Sequence, residues 1–190
     1  MIIINFLLIS ITAKSDTHLY HCEMKKSKWV YLLHYEMAGL CKIDGELNKI
    51  ISSWIMITIT PSLIIILQKV QLYAEEHCSQ LGYFLENKQI STHNSRQGVI
   101  MILSNEITEK LKYCTSQIEK EHCILSNITA ISCLKIIFYD SCLAMATRLN
   151  QQEAMSFFHT ASANEKRICK WTSESKKYQK ETNNNYYLLL

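Results

Sequence analysis

One proline and four glycines are spread over 190 residues, and so small a supply of turn formers removes most β architectures. Tight hairpins need glycine at left-handed positions, and phosphate-cradling loops need several glycines together. Helices joined by polar loops remain. The single proline, Pro61, stands where a helix should begin. Thr60 before it can accept a hydrogen bond from a first-turn N–H, and proline at the first helical position has the right φ and no donor to orphan. From there Leu63, Ile66, Leu67, Val70, Ala74, Cys78, Leu81 and Leu85 recur at three- and four-residue steps, with Lys69, Glu75, Glu76 and Glu86 mostly between them. The spacing predicts a helix over 62–86, about 38 Å long, which can bury its apolar face only against other helices.

The same periodicity recurs along the chain. Val30, Leu33, Met37 and Leu40 predict a short helix over 28–41, and Leu47, Ile50, Ile51 and Trp54 another over 46–56. Val99, Leu103, Ile107, Leu111, Cys114 and Ile118 form a four-residue stripe over 97–121. With Ser126 or Asn127 as cap, a helix over 127–149 turns Ile131, Leu134, Ile137, Phe138, Cys142, Met145 and Leu149 one way. A last helix over 151–171 directs Ala154, Phe158, Ala161, Ile168 and Trp171 inward. The expected fold class is therefore all-α, an antiparallel helical bundle of five to six helices, built as one unit or as two half-bundles sharing a core. Residues 1–27 form an apolar N-terminal segment and loop, 28–172 the bundle and 173–190 a polar tail. The expected core holds Leu33, Trp54, Leu67, Val70, Leu81, Leu103, Leu111, Leu134, Ile137 and Phe138, and 48% hydrophobic content suffices to fill it.

Two segments raise the question of membranes. MIIINFLLISITA (1–13) has the length of a signal-peptide apolar region and a small residue at its end, but no basic residue precedes it. A cleaved leader and an apolar segment retained by the fold are both open. Residues 50–68 carry no charge, so a single membrane span is an alternative there. Pro61 near its middle and the continuing stripe beyond it favour two helices meeting at the proline.

Reactive chemistry is harder to find. No GxSxG, HExxH, GxxxxGK[ST] or kinase motif occurs, so no catalytic residue, cofactor or enzyme activity is expected. His21-Cys22, His77-Cys78 and His122-Cys123 repeat a pair of soft metal ligands, with His18 upstream. Adjacent helical positions diverge by about 100° and no CxxC or HxxxH pair is present, so no metal site is expected either. A net charge of +3 without a basic stripe argues against nucleic acid. The eight cysteines admit two readings, reduced cysteines on buried stripes or a disulfide framework. Asn127-Ile128-Thr129 is a glycosylation sequon that matters only if the chain is secreted; otherwise Asn127 is a helix cap.

One resemblance adds a partner. YLLHYEMAGL (31–40), LNKIISSW (47–54), LIIILQKVQLYAEE (63–76), KQIS (88–91), EKLKYC (109–114), NITA (127–130) and KIIFYDSCLAMA (135–146) follow one another in an order that resembles the helical C-terminal, tandem MIT-like domain of ULK-family autophagy-initiating serine/threonine kinases. The kinase domain itself is absent, the stretch between Cys114 and Asn127 is shorter than the family's, and residues 150–190 align poorly. The resemblance implies a non-catalytic docking or scaffold module in the cytoplasm that binds an adaptor subunit along its helix faces and assists peripheral recruitment to membranes. The alternative is a secreted helical factor or ligand carrier stabilised by disulfides.

Overall fold

The structure, a computed structural model, describes the backbone of residues 16–86 and 97–187 and the side chains of 26–86 and 105–175. Residues 1–13, the polar connection after the second helix and the side chain of Leu103 lie outside what is described. Five helices follow in order: α1 Asp16–Ile57, α2 Pro61–Leu85, α3 Gln97–Tyr113, α4 Gln117–Arg148 and α5 Gln152–Tyr187, with no strand among the described residues. The chain is an all-α bundle. α1 with α2 and α4 with α5 make two antiparallel hairpins. α1 also packs on α4 and α2 on α5, which closes the four into one bundle. α3 crosses over the outside, against α1 and α4.

Several boundaries differ from expectation. The two short helices predicted at 28–41 and 46–56 are one continuous α1, which starts at Asp16 within the expected loop and runs through Gly39 and Gly45. A helical glycine costs about 1 kcal/mol, less than the unbroken apolar face around it recovers. α5 likewise continues to Tyr187, into the expected tail. The stripe read as 97–121 is interrupted at Ser116, whose hydroxyl accepts from the Glu119 N–H while the Glu119 carboxylate accepts from the Ser116 N–H. That reciprocal pair is a capping box and starts α4 ten residues earlier than predicted. Asn127 is therefore no cap. It lies within α4, half-buried, its amide donating to the Cys123 carbonyl, an unfavourable setting for a glycan that needs an exposed loop.

The turn at Pro61 is clamped from outside. Thr60 caps no N–H with its side chain; its hydroxyl donates instead to Glu121 Oε2 at 2.5 Å. Glu121 Oε1 accepts from the backbone N–H groups of Ile59 and Thr60, each at 3.0 Å. One buried carboxylate thus satisfies two amides that no helix reaches, and helix is broken over residues 58–60, inside the segment considered as a membrane span. At the other end, Asn150 takes the left-handed conformation, φ 54°, and the Asn150 and Gln151 N–H groups close on the Thr147 and Ala146 carbonyls. This is a Schellman closure with asparagine where glycine is usual.

The interior has two apolar layers. Ile43, Leu47, Leu67, Val70, Ile128 and Ile168 typify the first, under the Pro61 turn. Leu33, Met37, Leu81, Cys142, Phe157 and Phe158 typify the second. Of the expected core, Leu33, Trp54, Leu67, Val70 and Leu81 are buried, while Leu111 and Phe138 pack from the edge. Leu134 is half-buried, and Ile137 is 64% exposed. The face of α4 is rotated from its predicted position because Lys135 points inward.

Candidate functional site

Between the two apolar layers, each helix of the bundle contributes a polar side chain. Asp44 on α1, His77 on α2, Lys135 and Tyr139 on α4, and Asn164 and Glu165 on α5 are all buried. The position of each follows from its own helix. Asp44 lies four residues after Leu40 and three before Leu47, His77 three after Ala74 and four before Leu81, Lys135 four after Ile131, and Glu165 four after Ala161 and three before Ile168. Each therefore occupies an inward position of a three-four stripe whose other members are apolar.

Lys135 is the centre. Its ammonium lies 2.5 Å from Asp44 Oδ1 and is also ion-paired to Glu165 Oε1. Tyr139, one turn further along α4, donates its hydroxyl hydrogen to Asp44 Oδ2 at 2.8 Å. The Tyr139 hydroxyl oxygen is 3.1 Å from His77 Nδ1, and His77 Nε2 is 3.4 Å from Asn164 Nδ2. Because the Tyr139 proton is committed to Asp44, its oxygen can only accept, so Nδ1 of His77 carries the proton and Nε2 accepts from Asn164. Arg167 fixes the asparagine's orientation by donating to its Oδ1 at 3.3 Å. A directed chain of donors thus runs from Asn164 through His77 and Tyr139 to Asp44. Glu165 Oε2 is buried with no hydrogen-bond partner among the described residues.

The electrostatics follow from burial. Desolvation pushes the Asp44 carboxyl up to about 6, although Lys135 opposes the rise and Glu165 adds to it. Burial, with the Lys135 charge beside it, lowers His77 to about 3 and keeps it neutral. Burial alone would depress Lys135, but Asp44 and Glu165 outweigh it and hold the ammonium charged above its ordinary range. Burial first, and then the two carboxylates, raise the Tyr139 phenol and keep it protonated. The cluster is a cation held by two carboxylates and a neutral Tyr–His–Asn chain.

Two antiparallel hairpins joined by a long crossover describe the connectivity of ferritin-like bundles, in which one carboxylate from each of two helices and a Glu-x-x-His pair from each of the other two hold two metal ions. Asp44, His77 and Glu165 do bring ligand atoms within 4.8 Å of one another. The remaining positions do not fit. The α2 pair reads Ala74-x-x-His77, the α5 pair Glu165-x-x-Ile168, and α4 presents Lys135 in place of a carboxylate. With three ligands missing and an ammonium bonded to two of those left, the site does not suit a metal pair.

Sequence reasoning named His77 only as part of a repeated His-Cys dipeptide; His122-Cys123 lies away from the cluster, with His122 exposed, and the side chains of His21-Cys22 lie outside the described residues. Asp44, Lys135, Tyr139 and Glu165 were missed, although a charged residue inside a three-four stripe was a visible signal in each case but the tyrosine.

No family model matches the chain, and no curated protein matches it. Solved structures do. YcfI from Rhodopseudomonas palustris superposes with a TM-score of 0.68 at 16% identity, covering 75% of this chain and 90% of that one. The E. coli stress protein YciF superposes with a TM-score of 0.68 at 11% identity, covering 79% and 95%. At such identities the likeness is one of fold. The comparisons neither support nor oppose the ULK-family resemblance.

Proposed function

We propose that this chain is a non-catalytic helical module in which an internal ammonium takes the place that a metal ion takes in ferritin-like bundles, and which works through its outer surface. The observation that carries this reading is Lys135, charged, buried and ion-paired to both Asp44 and Glu165. A cation already bonded in the centre leaves no acidic cage for a second one, and the buried Tyr139 and His77 are held out of their titrating ranges. The site thereby serves registry between the hairpins, a role for which buried polar groups are best attested.

The outer surface supports an interaction role. Met56, Ile57 and Ile59 at the α1–α2 turn, and Tyr113 and Ile118 at the α3–α4 turn, are exposed. The two turns are joined by the Gln117 amide donating to the Ile57 carbonyl at 2.7 Å, so these side chains gather at one end of the bundle. An apolar cluster of this kind commonly marks a contact surface for another protein.

The test is metal titration of the purified full chain with Fe(II), Mn(II) and Zn(II), read by calorimetry and metal analysis after desalting. The expected result is no bound stoichiometric metal. One or two retained equivalents with Lys135 in place would overturn the proposal.

A further inference from the structure

Seven cysteines lie among the residues with described side chains, and six of them face another cysteine. Cys41 on α1 and Cys78 on α2 bring their sulfurs to 3.1 Å. Cys114, just after α3, stands 3.7 Å from Cys123 on α4. Cys133 on α4 and Cys169 on α5 are 3.8 Å apart. We infer that these three pairs are disulfides, Cys41–Cys78, Cys114–Cys123 and Cys133–Cys169, and that the chain completes its fold in an oxidising compartment.

Burial separates this reading from that of reduced core cysteines. A thiol kept as a small apolar residue belongs inside, among aliphatic neighbours. Of the seven, only Cys142 is wholly buried, in the second apolar layer, while Cys41 packs against that layer from its edge. Cys133 is exposed, and the other five are half-buried along the seams between helices. Nothing in hydrophobic packing requires seam cysteines to meet in pairs, and meeting three times on three different seams is what a covalent framework produces.

The placement fits as well. A disulfide needs sulfurs about 2.0 Å apart, so each pair must close by roughly 1–2 Å. Every pair joins consecutive elements, α1 with α2, α3 with α4 and α4 with α5, across separations of 37, 9 and 36 residues. No pair links the first hairpin to the second. That junction belongs to the polar cluster, where Asp44 meets Lys135 and His77 meets Tyr139. Covalent staples, one within each hairpin and one across the α3–α4 turn, and ionic registry between the hairpins divide the work of holding the bundle.

Each bridge forms when two thiols give up two protons and two electrons to a disulfide oxidant, glutathione disulfide or the disulfide of an oxidoreductase. The oxidant's S–S bond breaks and it departs as two thiols. Burial, reinforced by the Cys78 thiol, pushes Cys41 up to about 12, and burial with Cys133 does the same to Cys169. Thiolates are thus disfavoured in the packed seams, which favours exchange before packing is complete. An oxidising compartment favours the secreted alternative over a cytoplasmic docking module.

The full chain is folded in a glutathione buffer of secretory-compartment ratio, denatured without reductant, alkylated and digested. Mass spectrometry should find three cross-linked peptide pairs, 41 with 78, 114 with 123 and 133 with 169, each lighter by two hydrogens than its reduced halves, and no alkyl label on these six cysteines. In the Cys41→Ser, Cys123→Ser and Cys133→Ser variants, label should appear on Cys78, Cys114 and Cys169 respectively and on no other of the six. Alkylation of all six in the parent chain, or bridges in another pattern, would overturn the inference. The parent peptide map decides even if a variant does not fold.

Discussion

The ammonium of Lys135 stands 2.5 Å from Asp44 Oδ1, and the two side chains are 1% and 0% exposed. They come from different hairpins, so the pair can form only when the hairpins dock. Removing one partner leaves an uncompensated charge in the interior, a loss of about 3–5 kcal/mol. Lys135→Ala should therefore lower the urea midpoint sharply. Lys135→Met combined with Asp44→Asn and Glu165→Gln removes all three charges and should recover most of the loss. If the single variant unfolds at the parent midpoint, the pair contributes nothing to docking.

Acid sensitivity should be set by two opposing groups. His77 is lowered from 6.5 to about 3 in the fold, so as pH falls through that interval the unfolded chain takes up a proton that the native chain refuses, and stability falls. Asp44 is raised from 3.8 to about 6. Between those values the native chain holds a proton that the unfolded chain lacks, and stability rises as pH falls. The histidine shift is the larger, and below pH about 4 the aspartate no longer offsets it. His77→Gln should consequently be the more acid-resistant chain, whereas the parent should lose about 2 kcal/mol on balance over the histidine interval, the imidazole's loss less the carboxyl's gain. Denaturation curves at pH 7, 5 and 3.5 distinguish the two.

Glu121 offers a third test. Its carboxylate accepts from two backbone amides and the Thr60 hydroxyl at the Pro61 turn. Burial pulls its pKa upward, but the Thr60, Gln117 and Ile59 hydrogen bonds prevail and hold it below the usual range. The stability it gives is present above the ordinary glutamate value and lost as pH falls through the lowered one. Glu121→Ala orphans both amides and should cost about 1–3 kcal/mol, with the fastest hydrogen exchange appearing at Ile59 and Thr60. Unchanged protection at those two amides would show that the clamp is unimportant.

What could be read in advance depended on how clearly each helix marks its faces. α2 was legible because charged residues flank a clean stripe and Pro61 marks its start. α4 was not, since aliphatic residues lie all around it and a stripe can be drawn through Ile131, Leu134, Ile137 and Phe138. The inward face instead runs through Ile131, Lys135 and Tyr139, which leaves Ile137 exposed. The Ser116–Glu119 capping box was present in the sequence, but Leu111, Cys114 and Ile118 continue the stripe across it, so periodicity concealed the break. The polar cluster assembles from four helices distant in sequence, and no local pattern states that Asp44, Lys135 and Glu165 meet. The correction has its own consequence. Ile137→Ser should change stability by less than about 0.5 kcal/mol, whereas Phe158→Ala, wholly buried in the second apolar layer, should cost about 3–5 kcal/mol.

The last prediction turns the cluster into the site it resembles. Lys135→Glu removes the internal cation and supplies a third carboxylate beside Asp44, His77 and Glu165, whose ligand atoms already lie within 4.8 Å of one another. Three buried carboxylates repel one another, so the variant without metal should be less stable than the parent chain. A divalent ion would neutralise them and take an imidazole ligand from His77, whose free nitrogen is selected by the hydrogen bond the other makes. Zn(II) or Mn(II) should then raise the melting temperature of Lys135→Glu in proportion to the logarithm of metal concentration, as binding to the native state alone requires. The parent chain should not respond. Adding His77→Ala to the variant should weaken the response at least tenfold in metal affinity. A Lys135→Glu protein that folds and ignores both metals would mean that the carboxylates are too rigidly held to close around an ion.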